Sequence, residues 1–269
     1  MTPHPLTDRP IAEVPLAVVD VETTGLSPER GDRVIEVAVL RAEPGVDPRL
    51  FGSLVDPGRP IDPSASAVNG IRASDLVGKP RFVELIDGLS QQLEGAVLVA
   101  HNAAFDLSFL KAEFALVGRR FPDLPIVDTL LLARERFRFP SNRLVSVASA
   151  LGVKPSGAHR AAADVLTTHG ILLRMIDALA ERGVRTVGEL QVAQGVGPGG
   201  FAPTLTEPLA TAVREHRAIT IVYRSSGRPA MRRVVEPIGT RGPYLIAYCR
   251  LRKAERTFRI DRIEAAYWP

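Results

Sequence analysis

A break in texture between Gly183 and Pro203 limits this chain's folding options more than any other feature. The stretch holds six glycines, with Gly-Val-Gly-Pro-Gly-Gly at 195–200, and few charges. Such composition offers little apolar surface to bury and predicts a flexible linker over 184–203. At 269 residues the chain is long enough for one large domain or two small ones, and the break favours two, 1–183 and 204–269. Charge supports the division. The whole chain carries 34 Lys+Arg against 30 Asp+Glu, a net of +4. Residues 1–183 hold 20 basic and 23 acidic side chains, a net of −3, whereas residues 184–269 hold 14 and 7, a net of +7. Charge asymmetry between halves points to an anionic partner for the basic part, nucleic acid first among them.

The two sides of the break also differ in pattern. Val14–Val21 and Val34–Leu40 are apolar and rich in β-branched residues, which predicts buried strands, and Phe51–Val55 adds a third. A helical stretch at Phe82–Leu93 leads to an apolar strand at Ala96–Ala100. Helical patterns follow at Ala104–Val117, Thr129–Phe137, Val145–Leu151 and Arg160–Arg182. Strands mixed with helices imply an α/β mixed sheet with flanking helices. Beyond the break a helix over Thr206–Arg217, with Thr206 as its N-cap, precedes strand-like runs at Ile219–Tyr223, Arg232–Pro237, Tyr244–Arg250 and Thr257–Ile263. A hydrophobic content of 45% against 24% charged residues rules out wholesale disorder. The single cysteine, Cys249, excludes an intramolecular disulfide framework and a Cys-rich zinc site. Met1–Asp8 shows no basic-then-apolar signal pattern, and no apolar run approaches the roughly 18 residues of a membrane span, so the expectation is a soluble cytoplasmic protein with no membrane partner.

Three acidic blocks sit at element ends. Asp20-Val21-Glu22 closes the first predicted strand, and residues i and i+2 of a strand share a face. Two anions projecting side by side repel unless a cation lies between them. An isolated Asp-x-Glu is most often an ordinary polar strand end. His101-Asn102-Ala103-Ala104-Phe105-Asp106 follows the Ala96–Ala100 strand, where Asn102 suits a helix cap and Asp106 the helix dipole. His159-Arg160-Ala161-Ala162-Ala163-Asp164 opens the longest predicted helix. Each block has a structural explanation alone; three of them, each at the end or start of a predicted element and two preceded by histidine, are harder to explain that way together.

Over roughly Val14–Leu173 these blocks resemble the three motifs of the DEDD exonuclease superfamily, which includes the proofreading subunit of bacterial DNA polymerase III and ribonuclease T. The resemblance implies a ribonuclease H-like fold and 3′→5′ hydrolysis of single-stranded DNA or RNA from the 3′ end. It assigns Asp20, Glu22, Asp106 and Asp164 as metal ligands and His159 as the histidine of the DEDDh branch. All four tyrosines lie beyond the break, which disfavours the tyrosine branch. The resemblance also gives the terminal nucleotide to the backbone of Thr23 and Thr24 and to Leu26, with Asn102 and Phe105 nearby, although Phe105 reads first as a core residue. Val127-Asp128-Thr129 resembles a family segment whose Asp caps a helix, and Asn69-Gly70-Ile71 stands where relatives commonly show His-Gly-Ile. The chemistry agrees: two hard cations on carboxylate oxygens, Mg²⁺ or Mn²⁺ rather than zinc, lower the pKa of a water and stabilise the oxygens about phosphorus. A histidine titrating near 6.5 can take that water's proton at neutral pH.

Beyond the break, eight arginines between 232 and 262 interleave with Tyr244, Tyr248 and Phe258. Arginine with aromatics suits phosphate pairing and base stacking, although a solvated basic face has the same composition. In Thr257–Asp261, Arg259 and Asp261 are expected on one strand face and Phe258 and Ile260 on the other. Val235-Glu236-Pro237, Pro243–Arg250 and Arg256–Ile263 resemble the WYL domain, a small β-rich Sm-like module, with Pro243 where its tryptophan is expected. That resemblance implies a nucleic-acid or nucleotide ligand, with Tyr244, Arg250, Arg259 and Arg262 as contacts. The resulting expectation is a 3′→5′ exonuclease, DNA favoured, with a module that binds nucleic acid or regulates. The alternatives are an RNA-trimming exoribonuclease and a ligand-responsive nucleic-acid-binding regulator that no longer cuts. Repair, proofreading with a polymerase partner, defence and RNA processing are not separated by the sequence.

Overall fold

The computed structural model describes residues 4–156, 160–195, 205, 207–224, 229–241 and 244–269, with the side chains of Arg241 and Asp261 left aside. His159, Thr206 and Pro243, singled out above, lie outside the described residues. The chain divides into two compact units, residues 1–198 and 199–269.

In the first unit the β-branched runs form the strands β1 (Leu16–Thr23), β2 (Val34–Ala42), β3 (Arg49–Leu54), β4 (Val97–Ala100) and β5 (Ile126–Asp128). Their order is β3-β2-β1-β4-β5, antiparallel over the first three and parallel from β1 through β4 to β5. The apolar stretches of β1, β2 and β4 are buried on both faces, which explains why they read as continuous rather than alternating. Around them lie α1 (Pro63–Asn69), α2 (Phe82–Leu93), α3 (Ala103–Leu116), α4 (Thr129–Arg136), α5 (Leu144–Ala150), α6 (Ala161–Ala180) and α7 (Val187–Ala193). Helix α6 lies against β1 and β2, where Val165, Ile171, Leu172, Met175 and Leu179 join Val18, Leu40 and Val99 in one core. At about 1.5–3 kcal/mol per fully buried aliphatic side chain, this contact holds α6 firmly on the sheet. No helix among the described residues is long and apolar enough to cross a membrane.

The expected linker does not begin at 184. Thr186 caps α7: its Oγ1 accepts the Glu189 N–H at 3.2 Å while the Glu189 carboxylate accepts the Thr186 N–H at 2.9 Å. Val187, Leu190 and Ala193 then join the core. Gly188, which read as a breaker, donates its N–H to the Thr7 carbonyl at 2.7 Å, and a Cβ there would stand 2.7 Å from Thr7 Cγ2. This glycine permits a close approach of two backbones.

Among the described residues the second unit has the helix α8 (Leu209–Glu215) and the strands β6 (Ile219–Tyr223), β7 (Met231–Arg241), β8 (Tyr244–Cys249), β9 (Ala254–Arg259) and β10 (Ile263–Tyr267). They form an antiparallel sheet in the order β10-β6-β7-β8-β9. Leu209 and Ala212 of α8 close its core over Ile219, Ile221, Val235, Leu245, Ala247 and Phe258. The strand expected at 257–263 is two strands separated by a 3₁₀ turn at Ile260–Arg262, after which β10 pairs with β6. Phe258 and Ile260 face the core as expected, but Arg259 is also buried, at 4% exposure, rather than on a solvated face.

Candidate active site

The carboxylates gather at the end of β1. Asp20 and Glu22, two apart, share one face of the strand, and α6 delivers Asp164 to it from its first turn. Carboxylate oxygens of Asp20, Glu22 and Asp164 all lie within 4.8 Å of one another. Asp106 approaches from α3. It is buried, and its Oδ1 accepts the N–H of Val21 at 3.1 Å, between Asp20 and Glu22 in the chain. That N–H is available because β4 pairs with β1 only over Leu16–Val18.

Two ion pairs fix the elements that carry these acids. Glu36 of β2, paired in register with Glu22, accepts Arg160 Nε and Nη2 at 2.8–3.2 Å and the Ala161 N–H at 3.0 Å. This pins the start of α6, and hence Asp164, to the sheet. Buried Glu113 of α3 accepts Arg33 Nε at 2.8 Å, Arg33 Nη2 at 2.7 Å and the Val34 N–H at 3.1 Å. Neither acid belongs to the three acidic blocks, yet Glu36 carries a signal: it is a lone charge inside the apolar run Val34–Leu40.

Electrostatically the site is under strain without a cation. Burial, then the charges of Asp106, Asp164, Glu22 and Glu36, pushes the Asp20 carboxyl well above the carboxylate range. Burial and the charges of Asp164 and Glu36 push Glu22 up to about 7, against the opposing Asn69 side-chain amide and Arg160. Burial likewise raises Asp106, although backbone N–H groups oppose it. All-oxygen donors forced this close fit a hard divalent cation, whose charge offsets the mutual repulsion.

The histidine before Asp106 has a structural role. His101 Nε2–H donates to the Asn142 carbonyl at 3.0 Å, which leaves Nδ1 to accept the Thr129 hydroxyl at 2.8 Å. Burial pushes this neutral ring's pKa down to about 4. Asn102 starts α3 with φ +84° and makes no side-chain cap. The capping expected of it falls to Asp128, whose carboxylate accepts the N–H of Asn102 (3.1 Å) and Ala103 (3.0 Å) as well as Leu130 (2.8 Å) and Leu131 (3.2 Å). One acid thus caps both α3 and α4.

Two of the expected nucleotide contacts, Thr24 and Leu26, lie in the β1–β2 loop, just after Thr23 at the end of β1. Thr24 is buried, with its N–H on the Arg33 carbonyl at 2.8 Å and its carbonyl accepting the Asp62 N–H at 2.9 Å. Its backbone is therefore engaged within the chain. Asp32 organises the turn: it accepts the Thr24 hydroxyl at 3.2 Å and the Ser27 N–H at 3.1 Å, and a Cβ on Gly25 would stand 2.4 Å from its carboxylate. A side chain at 25 would have to displace the Asp32 carboxylate from these bonds. Leu26 projects from this loop at 73% exposure. Phe105 is half-buried, its ring 5.0 Å from Phe109, so it is neither pure core nor fully exposed. In the second unit the structure brings Tyr244 and Arg259 opposite each other across β8 and β9. Arg250, just past the far end of β8, pairs with Glu236 at 2.8 Å, and Arg262 lies in the 3₁₀ turn.

A mixed sheet in the order β3-β2-β1-β4-β5, with acids from β1, α3 and α6 converging at the end of β1, defines a ribonuclease H-like fold with a carboxylate cluster that could hold a metal ion. The exonuclease family matches residues 17–172, more than half of the chain, and the chain belongs to that family. Residues 204–267 match the WYL domain. The chain is 38% identical over 188 residues to a DNA polymerase III subunit epsilon-like protein of Rhodobacter capsulatus, covering 68% of this chain and 27% of that protein. It is 37% identical over 182 residues to the DNA polymerase III subunit epsilon of Treponema pallidum, covering 66% of this chain and 84% of that one. Against the 3'-5' exonuclease DinG of Bacillus subtilis it spans 19% of the relative's length. Among solved structures, exonuclease X in complex with 5' overhanging duplex DNA superposes with a TM-score of 0.52 at 25% identity, covering 67% of this chain and 99% of that one. E. coli exonuclease I in complex with a dA16 oligonucleotide gives 0.56 at 16% identity, covering 88% of this chain and 55% of that one, a likeness of fold.

Proposed function

We propose that the chain is a divalent-metal-dependent 3′→5′ exonuclease acting on single-stranded nucleic acid, with DNA favoured. The observation that carries the reading is the convergence of Asp20, Glu22 and Asp164 within 4.8 Å, with Asp106 bonded to the backbone between the first two. These four residues would hold the metal, Mg²⁺ or Mn²⁺, which when bound supplies a more acidic water and charge stabilisation at phosphorus. The chain's own residues do the rest. Arg160 and Glu36 orient the acid on α6. Leu26 and Phe105 wall the terminal nucleotide, with Thr23 and Asn102 at its edge. His159 takes the proton of the attacking water, an assignment supported by its place five residues before Asp164.

DNA is favoured because the similar proteins are DNA polymerase III epsilon subunits and because exonuclease X, at 25% identity, is solved with DNA. The second unit, from about residue 204, binds nucleic acid through its arginines and aromatics and so raises the local concentration of substrate or gates the nuclease. The test uses the full chain with 5′-labelled single strands of DNA and RNA, each with Mg²⁺ or Mn²⁺. Stepwise shortening from the 3′ end, faster on DNA, is expected, and Asp106→Ala is expected to abolish it while the circular dichroism spectrum is kept. Intact strands with both cations would leave a non-cutting regulator as the reading; faster RNA shortening would make it an exoribonuclease.

A further inference from the structure

Gln194 lies beyond residues 17–172 of the exonuclease match, in the stretch expected to be a linker, yet it is fully buried. Its side chain lies along the outer edge of β5. Nε2 donates to the Ile126 carbonyl at 2.9 Å and Oε1 accepts the Asp128 N–H at 2.8 Å. A strand edge presents the carbonyl of residue i and the N–H of residue i+2 on one side, so this carboxamide occupies the place of a neighbouring strand's peptide group. The neighbouring Ala193 carbonyl accepts Arg136 Nε at 2.8 Å, which ties the same end of α7 to α4.

Asp128, whose backbone Gln194 holds, is the acid that caps both α3 and α4. Its bonds to the N–H groups of Asn102 and Ala103 set the start of α3, where Asn102 keeps a left-handed φ of +84° that needs support. One turn on, the Asp106 carboxylate meets Val21 N–H between Asp20 and Glu22. A continuous series of fixed hydrogen bonds therefore runs from Gln194 through Asp128 and the α3 terminus to the carboxylate site.

We infer that Gln194 is a positioning residue for the carboxylate site: its side-chain amide fixes Asp128, which fixes the start of α3 and so the placement of Asp106. The nuclease fold thus depends on a side chain contributed from outside the matched exonuclease segment. The activity readout rests on the proposed exonuclease function; the other two readouts do not.

The test is Gln194→Met in the full chain, which keeps length and volume but removes donor and acceptor. Gln194→Asn, one methylene too short to span the edge, provides a second variant should the first not fold. Leu190→Ala, which loosens α7 packing without touching the amide, is the control for stability alone. At a temperature where all are folded, Gln194→Met is expected to bind Mn²⁺ about tenfold more weakly by calorimetry, as is usual when a group supporting a ligand is lost. Amide exchange at Asn102 and Ala103 is expected to quicken, and kcat to fall with KM little changed. Leu190→Ala is expected to melt lower while keeping wild-type Mn²⁺ affinity and exchange at those amides. The inference is overturned if Gln194→Met keeps Mn²⁺ affinity and exchange at 102 and 103, or if Leu190→Ala loses both to the same extent. Should the wild type release no nucleotides, the proposed activity fails while the Mn²⁺ and exchange measurements still decide the role of Gln194.

Discussion

Asp20 and Glu22 would both be ordinary strand-end acids if Asp164 and Asp106 were absent. Their proximity turns four ionised groups into a liability that a cation resolves. Glu22, raised to about 7, must lose its proton to bind a metal, so protons compete below that pH. Mn²⁺ affinity is expected to rise at least about tenfold between pH 6 and pH 8, the yield of one competing proton at Glu22, to which the raised Asp20 and Asp106 carboxyls add in the same direction. Calorimetric titrations at both values check it; equal affinities would mean Glu22 is already ionised at pH 6. The sign for stability is the opposite. A carboxyl whose folded pKa lies above its unfolded one loses stability as pH rises through that interval, because the folded state resists ionisation. Asp20→Asn is therefore expected to stabilise the metal-free protein above neutral pH by about 1 kcal/mol, while removing hydrolysis and most of the stabilisation that Mn²⁺ gives. Melting curves with chelator and with Mn²⁺, wild type against variant, decide this.

At the scale of elements, the site is a set of helix ends fastened to strand ends. Asp128 serves two helix starts at once, and each cap is worth about 0.5–2 kcal/mol. Asp128→Ala is expected to cost about 1–4 kcal/mol in urea unfolding, two caps' worth, whereas Ser64→Ala on exposed α1 stays near wild type. A loss matching one cap would show that only one helix depends on it. Much of this level was legible in the sequence. β1, β2, β4 and α2–α6 announced themselves through apolar runs and helical spacing, and the four acids through their places at element ends. What stayed hidden has physical reasons. β5 is three residues long, too short for alternation to register. α1, Pro-Ser-Ala-Ser-Ala-Val-Asn, carries almost no apolar face, and its one signal is the Asp62-Pro63 start. In α7 the buried Val187, Leu190 and Ala193 follow a helical spacing, but Gly188 and the glycines after it masked them. Glu36, Glu113 and Gln194 act through partners some 66 to 125 residues away, and no local pattern encodes a partner at that distance.

For the whole molecule, the charge division becomes a statement about salt. The acids of the first unit include the set that the proposed metal would neutralise, whereas residues 184–269 keep their net of +7. If the second unit captures strands through its arginines, each phosphate it neutralises releases a counterion, and affinity falls steeply with salt, by about 0.7 in the log–log slope per contact for single strands. Removing residues 204–269 leaves the core of the first unit, α7 included, intact. The shortened chain is expected to retain metal-dependent hydrolysis of a dinucleotide, to show a higher KM on a long single strand, and to lose part of the salt slope. Steady-state rates on both substrates across a series of salt concentrations separate the possibilities. A higher KM with a flatter slope assigns capture to the second unit. A changed kcat on the dinucleotide, which is too short to need a second binding surface, assigns it a gating role instead. Unchanged affinity, rate and slope on long strands would remove the second unit from the reaction altogether and place the origin of its positive charge in some other ligand.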